Sequence, residues 1–133
     1  MINTKTTYNL GIVGSRHYNN YEEFTTVTNQ IINKFGIPEN IISGGHLDKG
    51  GNIKPGADTL AWKYATDHKI NIIEHDALWD KYGKAAGPIR NKLIVDDSNI
   101  ILAFLSPDSV GTKNTISLAQ KNPNIKIFIC NVQ

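Results

Sequence analysis

Apolar residues gather along this chain in five short runs, separated by longer polar stretches with helical periodicity. Tyr8–Val13 (YNLGIV), Asn40–Ser43 (NIIS), Asn71–His75 (NIIEH), Asn99–Leu105 (NIILAFL) and Ile125–Ile129 (IKIFI) have the length and composition of strands buried inside a sheet. Between them lie helical patterns. Asn19 and Asn20 can cap a helix over Tyr21–Phe35, with Phe24, Val27, Ile31 and Ile32 along its apolar side and Gly36 closing it. A second helix from about Ala57 to His68 places Leu60, Ala61, Tyr64 and Ala65 on one face. Pro88 suits the first turn of a third helix running to about Asp97, where its missing N–H costs nothing. Thr112 can cap a fourth, ending at Gln120. Gly44–Pro55 is a glycine-rich loop without periodicity, and Ala77–Gly83 is a mixed aromatic segment.

Strand and helix alternate throughout, with no linker, repeat or low-complexity tract. The pattern predicts one α/β domain over residues 1–133: a Rossmann-like, doubly wound parallel sheet of about five strands, with helices on both faces and right-handed crossovers. A length of 133 residues suits one core. No apolar run is long enough to span a bilayer, the first residues (Met1–Lys5) lack a signal-peptide core, and Cys130 has no partner for a disulfide or a thiolate metal cluster. A cytoplasmic protein without membrane contact is the expectation. No metal spacing links His17, His46, His68 and His75, and no cofactor is implied. The net charge of +2 and scattered lysines disfavour nucleic acid as a partner.

The basic residues are uneven. Of 14, only Arg16 and Arg90 are arginines, in an Asn- and Ile-rich chain of the kind an AT-rich bacterial or phage genome encodes. Where lysine serves most needs, a retained arginine points to a use for its planar fork, which grips phosphate or carboxylate in two places. Both arginines fall at the carboxyl edge of the predicted sheet, where open parallel sheets bind ligands. Gly14, Ser15 and Arg16 follow the first strand, Gly44 and Gly45 the second, Asp76 and Trp79 the third, and Ser106 through Gly111 and Thr112 the fourth. Arg90 and Asn91 fall in the first turn of the third helix. Glycine loops leading into helix N-termini favour an anion, so the two arginines are expected to face a phosphate cleft. Asp58 and Thr59 open the second helix. Asp58 reads either as a cap or as an acceptor for a ribose hydroxyl. Trp79 and Tyr82 read either as core or as a stacking platform for a base. Glu74 and Asp76 share a strand face and, with Asp58, are weak candidates for acid–base catalysis. Ser15 has no evident base and reads as a phosphate donor rather than a nucleophile.

Taken together, GSR (14–16), SGG (43–45), GADTLAWKYA (56–65), WDKYGKAAGPIRN (79–91) and a late GT (111–112) resemble the SLOG superfamily, and within it the small YspA-like branch, from about Asn9 to Ile129. The resemblance implies a Rossmann-like fold and nucleotide or nucleotide-derived ligands; relatives include the cytokinin-activating phosphoribohydrolases and the DNA-processing protein DprA. The sequence departs from the phosphoribohydrolases in two places. Thr115 stands where their late motif carries a catalytic glutamate, although Arg90 matches their arginine. His46–Pro55 is inserted between the second-strand glycines and the GAD segment, as a lid, a specificity loop or a neutral excursion.

The expected function is binding of a phosphate-bearing nucleotide or nucleotide-derived small molecule, for sensing or sequestration. One alternative is a nucleoside-phosphate N-glycosidic hydrolase or transferase; a second is single-stranded DNA binding like that of DprA. The last strand is followed by no covering helix, so the chain is expected to bury a face in a homo-oligomer, a dimer first.

Overall fold

The computed structural model describes residues 7–133; Met1–Lys5, read above for a leader, lie outside the described residues. The chain forms β1 (Asn9–Gly14), α1 (Tyr21–Phe35), β2 (Asn40–Gly44), α2 (Ala57–Asp67), β3 (Asn71–His75), α3 (Trp79–Tyr82), a 3-10 turn (Gly83–Ala85), α4 (Ala86–Asp97), β4 (Ile100–Leu105), α5 (Val110–Gln120) and β5 (Lys126–Asn131). The five strands form one sheet in the order β3-β2-β1-β4-β5, every pair parallel. The fold is therefore the α/β, Rossmann-like arrangement expected, and no helix among the described residues is long and apolar enough to cross a membrane.

Period-two alternation explains why the strands are apolar on both sides. Leu10, Ile12, Ile41, Ile100, Leu102 and Phe104 face α1 and α2, while Val13, Ile42, Ile101 and Ala103 face α4 and α5. On the first face Phe24 of α1 stacks on Phe104 at 4.8 Å between ring centroids, and Tyr18 stacks on the same ring at 5.1 Å. Such pairs add about 0.5–1.5 kcal/mol each beyond area burial. Tyr18 thereby ties the β1–α1 loop to the core. Its hydroxyl donates to Glu23 Oε1 at 2.6 Å, and burial with that bond holds its proton well above the ordinary phenol range.

Several boundaries shift from the sequence expectation, each for a local reason. α5 begins at Val110, after Ser109, so Thr112 is a buried residue of the first turn rather than the cap. α4 begins two residues before Pro88, which places Arg90 fifth in the helix, in its second turn. β5 runs to Asn131 because β4 offers a partner as far as Leu105. The mixed aromatic segment contains the single turn of α3.

Candidate functional site

All four long helices begin at the carboxyl edge of the sheet, because each follows a parallel strand. Only α1 has a side-chain cap, Asn20 Oδ1 accepting from Glu23 N–H at 3.0 Å. α2, α4 and α5 start without a side-chain cap hydrogen bond. Backbone carbonyls take some of their first amides, Ala57 N–H donating to Ser15 O and Val110 N–H to Asp108 O, and the helix dipoles still direct their positive ends to this edge.

The β1–α1 turn is pinned by backbone. Ser15 is buried; its N–H donates to Phe104 O at 3.1 Å, and its carbonyl accepts from Ala57 N–H at 3.1 Å. The Ser15 hydroxyl oxygen accepts from His17 N–H at 3.2 Å, which leaves its proton for another acceptor. Arg16 stands exposed on the outside of this turn. Its carbonyl crosses Gly56 so closely that a Cβ there would lie 2.6 Å from the oxygen, and Gly56 has φ +117°. Only glycine fits both requirements. Gly14 is equally crowded, with Ala57 and Phe104 against its Cα. Together these contacts place the Arg16 backbone against the N-terminus of α2.

Arg90 and Asp58 meet over Gly44. A Cβ on Gly44 would fall 2.5 Å from Arg90 Nη1 and 2.5 Å from Asp58 Oδ2, so the missing side chain makes the space both groups occupy. Gly44 N–H donates to Asp58 Oδ1 at 3.3 Å, and Lys54 Nζ lies 3.9 Å from Oδ2. Burial pushes the Asp58 carboxyl above the ordinary value of 3.8, against the downward pull of Arg90, Lys54 and the Gly44 amide. Arg90 Nε donates to Asn91 Oδ1 at 2.9 Å. Neither arginine has an ion pair among the described residues.

Beyond Gly44 the carboxylates serve the chain itself. Glu74 accepts from the His46 backbone N–H at 2.9 Å and faces His46 Nδ1 at 2.7 Å, while the His46 ring lies flat on Trp62, 4.2 Å between centroids and 5° between planes. Asp76 packs against Gly45 and fills the space a side chain would need. Thr59 Oγ1 donates to Lys54 O, tying the insertion down onto α2. The insertion is itself ordered by a bridge from Leu47 to Ile53 and by Asp48 Oδ1, which accepts from Gly50 and Asn52 N–H.

At the β4–α5 turn Ser106 and Ser109 are buried and bonded to each other, with Ser109 Oγ turned back to the Ser106 N–H at 3.1 Å. Asp108, fully exposed, is held below its usual range by the Ser106 hydroxyl. Gly111 has open space over its Cα. Asn91 is buried and spans from α4 to α5, donating to Gly111 O at 3.3 Å and Asn114 Oδ1 at 3.0 Å. Trp79 and Tyr82 are each 41% exposed, so neither belongs to the core.

The structure thus brings Arg90, Asp58, Gly44, Gly45, Glu74 and Asp76 together, with Arg16 on the adjoining loop. Ser106, Gly111, Thr112 and Asn91 lie on the α4–α5 side. A hollow of about 410 Å³ opens elsewhere on this edge, between His17–Asn20 and Asn131–Gln133, but no lysine or arginine lines it. Among the described residues no three His, Cys, Asp or Glu side chains converge as a metal site would require. His46 is the member that sequence reasoning left out. The in-register pairing of β2 with β3, Ser43 opposite Glu74, is the signal that brings it within reach. Comparison of the chain with protein-family models, curated proteins and solved structures finds no match.

Proposed function

We propose that the protein binds a phosphate-bearing nucleotide or nucleotide-derived small molecule at the carboxyl edge of its sheet. The observation that carries this reading is the pair of arginines at this edge without an ion pair among the described residues, Arg16 exposed on the β1–α1 turn and Arg90 over Gly44. Arg16 has no carboxylate at ion-pair distance and Arg90 meets Asp58 only beyond that distance, so both guanidinium groups keep donors for an external anion. The uncapped start of α5 and the open Cα of Gly111 extend the same edge. The half-exposed rings of Trp79 and Tyr82 offer surface for a base.

The test is native mass spectrometry of the purified protein with a panel of mononucleotides, cyclic nucleotides and ADP-ribose-type compounds, followed by titration of the best ligand. Retention of an intact ligand by the wild-type protein is the expected result. Arg16→Lys keeps the charge and loses the fork, and is expected to weaken binding about tenfold. Equal affinity of Arg16→Lys and wild type removes Arg16 from the site, and no retention of any phosphate compound removes the proposal.

A further inference from the structure

Asp58 and Arg90 each keep a polar atom that the fold does not use. The α2 cap is Gly56, and no side chain caps that end, so Asp58 is not a cap. It reaches across to β2 instead, where Oδ1 accepts the Gly44 N–H at 3.3 Å. Oδ2 accepts no hydrogen bond among the described residues, and Lys54 Nζ stands off at 3.9 Å. Arg90 donates through Nε to Asn91 Oδ1, while its Nη1 has no acceptor among the described residues. Nη1 and Oδ2 flank one gap. Each lies 2.5 Å from the place a Gly44 Cβ would take, so at most twice that distance separates them. They do not come within ion-pair distance of each other. One oxygen that makes two hydrogen bonds of about 2.8 Å at a roughly tetrahedral angle spans about 4.5 Å, which fits that gap. Solvent reaches both groups: the Asp58 side chain is 22% exposed and Arg90 is half-buried.

The chemistry of the two flanks selects the occupant. A phosphate oxygen only accepts; it suits Arg90 but meets a second anion at Asp58. An ammonium suits Asp58 but meets the guanidinium. A hydroxyl accepts from Arg90 and donates to Asp58 through the same oxygen. We propose that this gap takes a ribose hydroxyl, so that the site selects ribonucleotides over deoxyribonucleotides. The proposal rests on the phosphate-binding reading above: Arg16 and the Nη2 end of Arg90 are left for the phosphate, and Nη1 for the sugar. Gly44 makes the arrangement possible, because any side chain there would push the two flanking groups out of place. A deoxyribose leaves the donor and the acceptor facing each other with nothing of the ligand between them. A hydrogen bond to a charged group is worth about ten- to a hundredfold in affinity, which sets the size of the expected preference.

The probes are adenosine and guanosine 5′-monophosphate, their 2′-deoxy and 3′-deoxy counterparts, and inorganic phosphate, each titrated calorimetrically into the whole chain. The expected result is that the ribonucleotide binds about 10–100-fold more tightly than the counterpart lacking the bridging hydroxyl, and the analogue that loses affinity identifies that hydroxyl. Asp58→Ala removes the acceptor and leaves both arginines. It should bring the ribo and deoxy forms to within about twofold of each other while inorganic phosphate binds no more weakly. A melting curve checks that the variant folds, and the comparison in the wild type decides by itself if it does not. Equal affinity for the ribo form and both deoxy forms overturns the hydroxyl site and leaves the phosphate reading intact. Binding of none of the probes, inorganic phosphate included, overturns both. A preference for the ribo form that persists in folded Asp58→Ala overturns the assignment to Asp58.

Discussion

Replacing Gly44 with alanine tests the geometry of the site most directly. The new Cβ would sit 2.5 Å from both Arg90 Nη1 and Asp58 Oδ2. A methyl carbon needs about 3.5 Å from such atoms, so each group must retreat by about 1 Å. Both are side-chain ends, and turning them off their preferred rotamers costs about 0.5–1.5 kcal/mol each. The expected destabilisation is therefore about 1–3 kcal/mol, the range for a small overpacking. Arg90 is displaced from the position proposed to meet an anion, and losing one charge-assisted hydrogen bond costs about 1.5–3 kcal/mol of affinity. The expected outcome is a folded protein that binds its phosphate ligand about 10–100-fold more weakly. Urea unfolding measures the first quantity and calorimetric titration the second. A Gly44→Ala protein with wild-type affinity would falsify the placement of the anion over Gly44.

Gly111→Ala adds a Cβ into open space in the first turn of α5, so stability should rise by about 0.5–1 kcal/mol in urea unfolding. Should calorimetry show weaker ligand binding in the same variant, the ligand approaches that turn closely. Thr28 is fully buried in α1, and its hydroxyl has no hydrogen-bond partner. Thr28→Val removes the unsatisfied group at nearly constant volume and should gain about 1 kcal/mol, or roughly 4 °C in Tm by calorimetry; a lower Tm sinks that reasoning. Asp58 has a folded-state pKa raised above 3.8, so its ionisation destabilises the fold as pH climbs from the unfolded value through the folded one. Asp58→Asn should match wild type below pH 3.8, where both are neutral, and become the more stable of the two at neutral pH. Urea unfolding across that range measures the difference, and a gap that shrinks with rising pH contradicts the sign.

Much of the architecture is legible in the sequence, because parallel strands and amphipathic helices write their burial into local composition. β3 falls on Asn71–His75 as the apolar run suggests, and α1 occupies Tyr21–Phe35 between Asn20 and Gly36. The misplaced helix starts have a physical origin. Thr112 has cap chemistry, but Ser109 turns its hydroxyl to Ser106 and the helix begins around it. The site was harder to read. That Gly44 and Gly45 give space is visible in the sequence; that Arg90, Asp58 and Asp76 of the same chain enter that space depends on how α2, α4 and the end of β3 pack. His46 and Glu74 are 28 residues apart and meet only because β2 and β3 are neighbours in register. The Trp62 ring that holds His46 lies on a third element, α2.

The strand order carries a consequence for how the chain reaches this structure. Of the five strands of this sheet β1 is made first, yet it lies at the centre, between β2 and β4. One side can be closed early, when β2 arrives after α1. The other must wait for β4: Asn9 N–H donates to Asn99 Oδ1 across 90 residues of chain. Until then the flank of β1 that pairs with β4 stays open, with apolar Leu10, Ile12 and Val13 on that strand. Pairings of such long reach set slow folding rates and leave strand edges exposed to other chains. Mutations that weaken β4 should therefore lower the yield of folded protein as well as its stability, because they prolong the exposure of that flank.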